Sequence, residues 1–148
     1  MPKALITGIT GQDGSFLTEL LLEKDYQVHG VVQRTSTLSR SRLDHLHSDA
    51  DIYGKRLFLH YADLDDPTTL RRVLMSVAPD EIYHLAGQSH VGLSFEIPES
   101  TCEMTAMGTL RLLEMIQDMP RRPRLFHATS SEMFGQRCRR TRPRRSRR

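Results

Sequence analysis

Three glycines near the amino terminus have the spacing of a phosphate-binding turn. The segment Gly8-Ile9-Thr10-Gly11-Gln12-Asp13-Gly14 follows an apolar run and precedes a stretch with helical spacing. Glycines in such a turn let the backbone approach a phosphate closely and let the helix pack tightly on a sheet. The amino terminus of a helix also presents unpaired N–H groups to an anion. The sequence therefore predicts that residues 8–14 bind the pyrophosphate of a dinucleotide.

The residues after the second apolar run indicate which dinucleotide is bound. An NAD site places a carboxylate there for the ribose 2′-hydroxyl, whereas this chain has Arg34, Thr35 and Ser36. A guanidinium binds phosphate oxygens in bidentate fashion, and the two hydroxyls are further hydrogen-bond donors. We therefore predict NADP, with its 2′-phosphate at these residues. A solvated loop arginine is the alternative interpretation.

Two more segments at the ends of apolar runs are candidates for the same site. Asp63 is placed to accept a hydrogen bond from an adenine amino group, with Leu64 packed on the ring, or else Asp63 caps the following helix. The segment Leu85-Ala86-Gly87-Gln88-Ser89 is rich in small residues that permit a close approach of the cofactor. We interpret His90, which follows it, as structural.

The order of the apolar runs predicts the elements that carry these segments. Short apolar runs alternate with helical spacing up to about Ser130, which is typical of a parallel sheet wrapped by helices. The predicted strands are Ala4–Thr7, Val28–Val32, Leu57–Tyr61, Glu81–Leu85 and Arg124–Ala128. The predicted helices carry Phe16, Leu17, Leu20 and Leu21; then Leu70, Val73, Leu74 and Val77; then Met104, Met107, Leu110, Leu113 and Ile116, between Pro98 and Met119. We interpret those methionines as core residues. Right-handed crossovers then give an α/β fold with a doubly wound parallel sheet and a ligand crevice at the carboxyl ends of the strands.

Charge and hydropathy narrow the class of protein. The 148 residues carry a net charge of +3, yet eight of the 21 basic residues are arginines between Arg137 and Arg148. The remaining 13 basic residues face 18 acidic ones, so the part before this segment is acidic. No apolar run approaches the roughly 20 residues of a membrane span, and we see no secretion signal. We therefore expect a cytoplasmic protein with no membrane partner.

The cysteines and histidines do not have the spacing of a metal site. Cys102 and Cys138 belong to no Cys-x-x-Cys pair. His45 and His47 are two residues apart, so on a helix they point in different directions. We expect free thiols and no bound metal.

Six segments together share the pattern of one enzyme family. They are Ala4–Gly14, Val28–Gly30, Glu81–Tyr83, Gln88–Val91, Gly108–Leu113 and Ser130–Gly135. Between residue 3 and about residue 135 the chain resembles the GDP-mannose 4,6-dehydratase family of the extended short-chain dehydrogenase/reductase superfamily. The resemblance implies a Rossmann-type NADP-binding fold with GDP-mannose as the small-molecule substrate.

The resemblance also implies a reaction and two catalytic residues. The family removes water from GDP-mannose in a redox-neutral elimination that gives GDP-4-keto-6-deoxymannose, with NADP as the hydride carrier. Glu132 is similar to the family's base for the C5 proton, and Ser130 aligns with its substrate-polarising hydroxyl. The family more usually has threonine at the position of Ser130, so Thr129 and Ser131 stay alternatives. It also generally has a tyrosine against the cofactor where this chain has Ser100.

The same residues leave two other functions open. A nucleotide-sugar epimerase is the second enzyme hypothesis, which the Gly-Gln-Asp-Gly turn, Arg34 and Glu132 disfavour. A dinucleotide-binding module whose basic arm reaches nucleic acid is the alternative from another class. We expect no nucleic-acid partner. Arg40 and Arg42 lie where the family makes its subunit contact, so the resemblance implies a homo-oligomeric full-length parent.

The superfamily's catalytic tyrosine and lysine, four residues apart, have no match in this chain. Its tyrosines are followed at that distance by glycine, leucine or aspartate, at Gly30, Leu57, Asp65 and Gly87. We therefore expect a chain truncated before its substrate domain and lacking full activity, with an NADP-binding domain over residues 1–135. Residues 136–148 are predicted to be a disordered arginine-rich tail, which an out-of-frame reading of a GC-rich gene would produce.

Overall fold

A parallel β-sheet organises the chain. The computed structural model describes residues 1–33 and 41–130. Within these residues the strands are β1 (Lys3–Thr7), β2 (Gln27–Val32), β3 (Leu57–Tyr61), β4 (Glu81–His84) and β5 (Arg124–His127). They pair in parallel in the order β3-β2-β1-β4-β5. The chain order therefore reverses between β1 and β4, and a doubly wound sheet forms its ligand crevice at such a point.

Helices connect the strands. They are α1 (Gln12–Glu23), α2 (Asp44–His47), α3 (Pro67–Val77), α4 (Val91–Glu96), α5 (Pro98–Cys102) and α6 (Gly108–Gln117). A 3₁₀ turn at Ser41–Leu43 precedes α2, and a π-helical segment at Glu103–Met107 joins α5 to α6.

The boundaries of α3 illustrate how local sequence specifies a helix. The Asp66 carboxylate accepts a hydrogen bond from the Thr69 backbone N–H at 3.1 Å, and Pro67 occupies the first turn. An amino-terminal cap and an early proline satisfy or remove N–H groups that have no partner in the helix. Ala78 ends the helix in the left-handed conformation, with φ of 46°.

Two apolar layers cover the sheet. On one side Leu5, Val31 and Ile82 pack against α3 and α6. On the other side Ala4, Ile6 and Val28 pack against α1 and the segment that holds Leu43 and Leu46. The predicted α/β fold class is therefore confirmed. Each predicted strand is present with ends that differ by one residue at most, and the predicted apolar stripe of α3 is buried in full.

The apolar residues of α1 and α6 face the core only in part. Phe16 and Leu20 are 61% and 46% exposed, because α1 approaches the sheet with its small residues Gly14, Ser15 and Thr18. In α6 the buried positions are Gly108, Leu112, Met115 and Ile116. Leu110 and Leu113 are exposed, and the interpretation of Met107 as a core residue is wrong, because it is 37% exposed. The π-helical segment changes the phase of the helix there, since its hydrogen bonds span five residues instead of four.

A candidate dinucleotide-binding crevice

A crevice of about 520 Å³ opens at the carboxyl ends of the strands. Its lining comes from residues at and beyond the carboxyl ends of β1, β2, β3, β4 and β5, together with Met104. The lining residues are Thr7, Gly8, Thr10, Gly11, Gln12, Asp13, Gly14, Val31, Gln33, Ala62, Asp63, Leu64, Leu85, Ala86, Gly87, Ser89, Met104 and Ala128. The structure thus brings together most of the predicted cofactor residues that it describes.

The glycine loop (residues 8–14) forms one side of the crevice. Gly8 has φ of +76°, and a Cβ there would lie 2.9 Å from the Ala86 backbone nitrogen. A Cβ on Gly14 would lie 2.7 Å from the Ile9 Cα. Any larger residue at either position would push backbone atoms apart. These glycines therefore leave a cradle of bare backbone, which suits the close approach of a pyrophosphate.

The amino terminus of α1 is open toward this cradle. Gly11 is the residue before the helix and has no side chain with which to cap it. The Gly11 N–H donates to the Gly8 carbonyl oxygen at 3.0 Å, and the Ser15 N–H donates to the Gly11 carbonyl oxygen at 3.0 Å. The N–H groups of the first helical turn between these bonds have no intrahelical acceptor. They and the helix dipole form a ready site for an anion.

The β4 loop (residues 85–89) forms the opposite side. The Leu85 N–H donates to the Thr7 carbonyl oxygen at 3.1 Å, which continues the pairing of β4 with β1 past its last residue. Gln88 is the one predicted residue of this loop that does not line the crevice, and its Oε1 accepts from the His90 N–H at 3.1 Å. The His90 ring caps α4 by accepting from the Leu93 N–H at 3.0 Å. His90 thus has the local structural contact expected of it.

The segment after β3 presents a carboxylate and an apolar side chain. Asp63 Oδ1 accepts from the Leu64 N–H at 2.8 Å, and the cap of α3 is Asp66. Leu64 is 4% exposed and lies against Gly108 of α6. Asp63 is therefore held at the crevice edge by its own loop and is not the helix cap.

Ile9 differs from its neighbours in the glycine loop. Its side chain is fully buried in the apolar layer under α1 and does not line the crevice. Gly30 of β2 lies directly beneath it, so a side chain at residue 30 would collide with Ile9. Ile9 thus anchors the loop from below.

A buried histidine lies beneath the crevice. His84, the last residue of β4, is 1% exposed. Its Nδ1 is 2.6 Å from the Thr7 Oγ1, and its Nε2 is 3.0 Å from the Thr109 Oγ1. The His127 ring of β5 packs against it with centroids 4.7 Å apart. Burial, and then the neighbouring His127, lower the pKa of His84 to about 4, so the ring is neutral at pH 7.

Of the remaining predicted site residues, the structure describes Ser130. Ser130 is exposed and lies three residues beyond the end of β5, the strand whose extension contributes Ala128 to the crevice. Arg34, Thr35, Ser36 and Glu132 lie outside the described residues, as do Ser131 and Arg40.

Several residues that line the crevice are not among the cofactor residues predicted from the sequence. Thr7 is the last residue of β1, and Gln33 directly follows β2. The rule that ligands bind at the carboxyl ends of strands would have identified both residues. Met104 both packs on the core and lines the crevice, which helical spacing alone does not reveal.

Residues 1–33 and 41–130 also bear on metal binding and membrane insertion. This part of the chain has no group of three or more His, Cys, Asp or Glu side chains arranged to hold a metal ion. It also has no helix with the length and apolarity needed to cross a bilayer.

The chain has clear relatives among known proteins. The family described as GDP-mannose 4,6 dehydratase matches residues 5–143. A GDP-mannose 4,6-dehydratase from Yersinia enterocolitica is 52% identical over 137 residues, which are 91% of this chain and 37% of that protein. GDP-mannose 4,6 dehydratase 1 from Arabidopsis thaliana is 53% identical over 137 residues, or 89% of this chain and 38% of the relative. The chain thus spans between a third and two fifths of the length of these curated relatives.

The fold itself is shared with solved structures. A UDP-glucose 4-epimerase from Stenotrophomonas maltophila, with bound NAD and formylated UDP-arabinopyranose, superimposes with a TM-score of 0.76 at 23% identity. The superposition covers 93% of this chain and 40% of the epimerase. Likeness at this identity identifies the Rossmann-type fold, whereas the family match and the closer sequence relatives identify the family. The chain belongs to the GDP-mannose 4,6-dehydratase family.

Proposed function

We propose that this chain is the cofactor-binding part of a GDP-mannose 4,6-dehydratase and that it binds NADP in the crevice. The observation that carries the proposal is the cradle of bare backbone between Gly8, Gly14 and Ala86 at the open end of α1. A side chain at Gly8 would collide with the backbone of the β4 loop, and one at Gly14 would collide with the backbone of the glycine loop, so either would distort the cradle. Sequence identity of 52% to the Yersinia dehydratase supports the same site for the same chemistry.

NADP is proposed over NAD because of the residues beyond β2. Gln33 lines the crevice and carries no charge, and Arg34, Thr35 and Ser36 follow it. A bidentate guanidinium with two hydroxyls suits a 2′-phosphate, whereas an NAD site would use a carboxylate at this position. Asp63, on the neighbouring strand end, is the proposed partner of the adenine amino group.

The roles proposed for the chain's own residues follow from acid–base chemistry. The amino-terminal N–H groups of α1 would hold the pyrophosphate. When bound, the nicotinamide ring supplies a reversible acceptor for hydride. Ser130 would donate a hydrogen bond to the sugar oxygen at C4, and the Glu132 carboxylate would remove the proton at C5. A C5 proton beside a C4 carbonyl is acidic enough for a carboxylate base, which is why the pair is proposed together.

Turnover is proposed to need more than the groups in these 148 residues. The sequence has no tyrosine followed four residues later by lysine. The dehydration of GDP-mannose and the assembly into a homo-oligomer are therefore proposed for proteins of the relatives' full length, and cofactor binding for this chain.

Calorimetric titration of NADP and of NAD into the purified chain tests the cofactor assignment. We expect NADP to bind more tightly, and Arg34→Ala to remove most of that preference. The loss of one charge-assisted contact corresponds to about ten- to a hundredfold in affinity.

Arg122→Ala is the matched control. Arg122 is an exposed arginine between α6 and β5, at the opposite end of the sheet, so its removal changes the net charge equally. Equal affinities for NADP and NAD in the unmodified chain would refute the NADP assignment. Equal losses in both variants would show that overall charge, and not Arg34, sets the preference.

A further inference from the structure

His84 lies at the centre of a set of hydrogen bonds that the proposed chemistry does not use. It is buried between the end of β1 and α6, and its ring nitrogens contact Thr7 and Thr109. The register of the sheet pairs Thr7 directly with His84.

The proton positions follow from counting hydrogens. The Thr109 hydroxyl donates its one hydrogen to the Thr105 carbonyl oxygen at 2.6 Å. Toward His84 it is therefore an acceptor, so His84 Nε2 carries a hydrogen. His84 Nδ1 is then the acceptor of a neutral ring, and the Thr7 hydroxyl donates to it at 2.6 Å. The Thr7 oxygen in turn accepts from the Ala86 N–H at 3.3 Å.

These bonds form one directed chain, which we name the His84 relay. It runs from the Ala86 N–H through Thr7, His84 and Thr109 to the Thr105 carbonyl oxygen. A second bond ties the same helical turn to the same loop, because the Gln88 N–H donates to the Thr105 hydroxyl at 3.3 Å. The β4 loop is thus attached to the helical turn of Thr105 and Thr109 at both Ala86 and Gln88.

The position of the β4 loop affects the crevice because the loop lies in close contact with the glycine loop. The Gly8 Cα approaches Ala86 so closely that even a methyl group would overlap with it. Thr7, Gly8 and Ala86 all line the crevice, whereas His84 and Thr109 do not. A shift of Ala86 would therefore change the distance between the two sides of the crevice.

We propose that His84 is a positioning residue whose neutral Nε2–H tautomer holds the β4 loop at its cofactor-binding distance from the glycine loop, through Thr7 on one side and Thr109 on the other. The proposal rests on the proposed function, because the cofactor is what the spacing serves. A histidine that merely filled the core would have no required tautomer, and its hydrogen-bond partners would not influence cofactor affinity.

Thr109 is the best place to test the relay, since it lies outside the crevice. Thr109→Val keeps the shape of the side chain but leaves the buried His84 Nε2–H without its acceptor. We expect the affinity for NADP to fall about five- to thirtyfold, the effect of leaving one buried neutral donor unpaired. Thr109→Ser restores the hydroxyl and should return the affinity to within about twofold of the unmodified chain.

A second variant separates the relay from the local helix bond. Thr101 also donates from its hydroxyl to the carbonyl oxygen four residues earlier, Ile97, at 2.9 Å, without contacting His84. Thr101→Val should therefore leave the NADP affinity unchanged. Equal NADP affinities for Thr109→Val and Thr109→Ser, measured on the folded proteins, would overturn the proposal.

Two measurements on the chain without cofactor test the His84 relay independently of cofactor binding. Long-range ¹⁵N–¹H spectra of the unmodified chain should show His84 as the neutral Nε2–H tautomer at pH 7, and an Nδ1–H tautomer or a charged ring would overturn the assignment. Hydrogen exchange at the Ala86 amide should be slow and should accelerate in Thr109→Val. If the unmodified chain binds neither NADP nor NAD, the proposed function fails and the positioning role fails with it, while these two measurements still decide whether the relay exists.

Discussion

Gly8→Ala would have two destabilising effects, a strained backbone conformation and a steric overlap. Gly54→Ala would have the first effect alone and therefore separates the two. Gly8 has φ of +76° and Gly54 has φ of +77°, so both residues occupy the left-handed region. A Cβ on Gly8 would lie 2.9 Å from the Ala86 nitrogen and 3.0 Å from the Leu85 carbonyl carbon. Among the described residues, a Cβ on Gly54 would have no atom within 4 Å. The two substitutions share the backbone cost and differ in the overlap.

The expected loss of stability follows from these two terms. An alanine in the left-handed conformation costs about 1–2 kcal/mol, which is the whole effect expected for Gly54→Ala. At Gly8 the overlap is with backbone atoms of the β4 loop, which cannot rotate away. Forcing an extra carbon into a packed site adds about 1–3 kcal/mol. We therefore expect Gly8→Ala to lower the free energy of unfolding by about 2–5 kcal/mol, clearly more than Gly54→Ala.

Urea unfolding followed by circular dichroism measures both losses, and equal slopes would show that the denatured states are comparable. NADP titration adds a functional measurement: Gly8→Ala should also weaken binding about tenfold or more, and Gly54→Ala should not. Equal changes in unfolding free energy for the two variants would refute the close contact between the glycine loop and the β4 loop. Unchanged NADP affinity in a folded Gly8→Ala protein would refute the cofactor site at this contact.

Two further predictions concern pH and turnover. Burial lowers the pKa of His84 and of His29 to about 4 from an ordinary value of 6.5, so the unfolded chain binds more protons below pH 7 and stability falls with falling pH. The shifted pKa of His84 alone should lower the free energy of unfolding by about 2 kcal/mol between pH 7 and pH 5. A urea midpoint that does not change over this range would contradict the buried, neutral state of His84. The chain alone should not convert GDP-mannose even at saturating NADP, because positioned acid–base catalysis contributes about a hundred- to ten-thousandfold and the Tyr-x-x-x-Lys pair is missing from the sequence. Chromatographic detection of the 4-keto-6-deoxy sugar at a rate near that of a full-length relative would refute this.

Local sequence determined the elements and the glycine loop. The period of the apolar residues identified the strands and α3, because strand and helix repeats differ and a buried stripe must follow one of them. The prediction for residues 8–14 depended on glycines next to a strand end, a pattern carried by adjacent residues. The start of α3 is likewise specified by adjacent residues, the Asp66 cap and Pro67.

The tertiary structure determines which face of α1 packs on the sheet. Leu21 is buried as predicted, but Phe16 and Leu20 are exposed, and the small residues Gly14 and Thr18 are buried in their place. Hydrophobicity favours burying the larger side chains. The close approach of Gly14 to the backbone of Gly8 and Ile9 instead orients the small-residue face inward.

His84 shows most clearly what the sequence alone leaves open. In the sequence it is a histidine in an apolar strand, with no partner among its neighbours. Its partners Thr7 and Thr109 are 77 and 25 residues away. The parallel register of β1 and β4 places Thr7 opposite His84, and the packing of α6 on the sheet supplies Thr109. Because strand register and helix packing depend on contacts between distant segments, the sequence contained these three residues but only the folded chain determined that they meet.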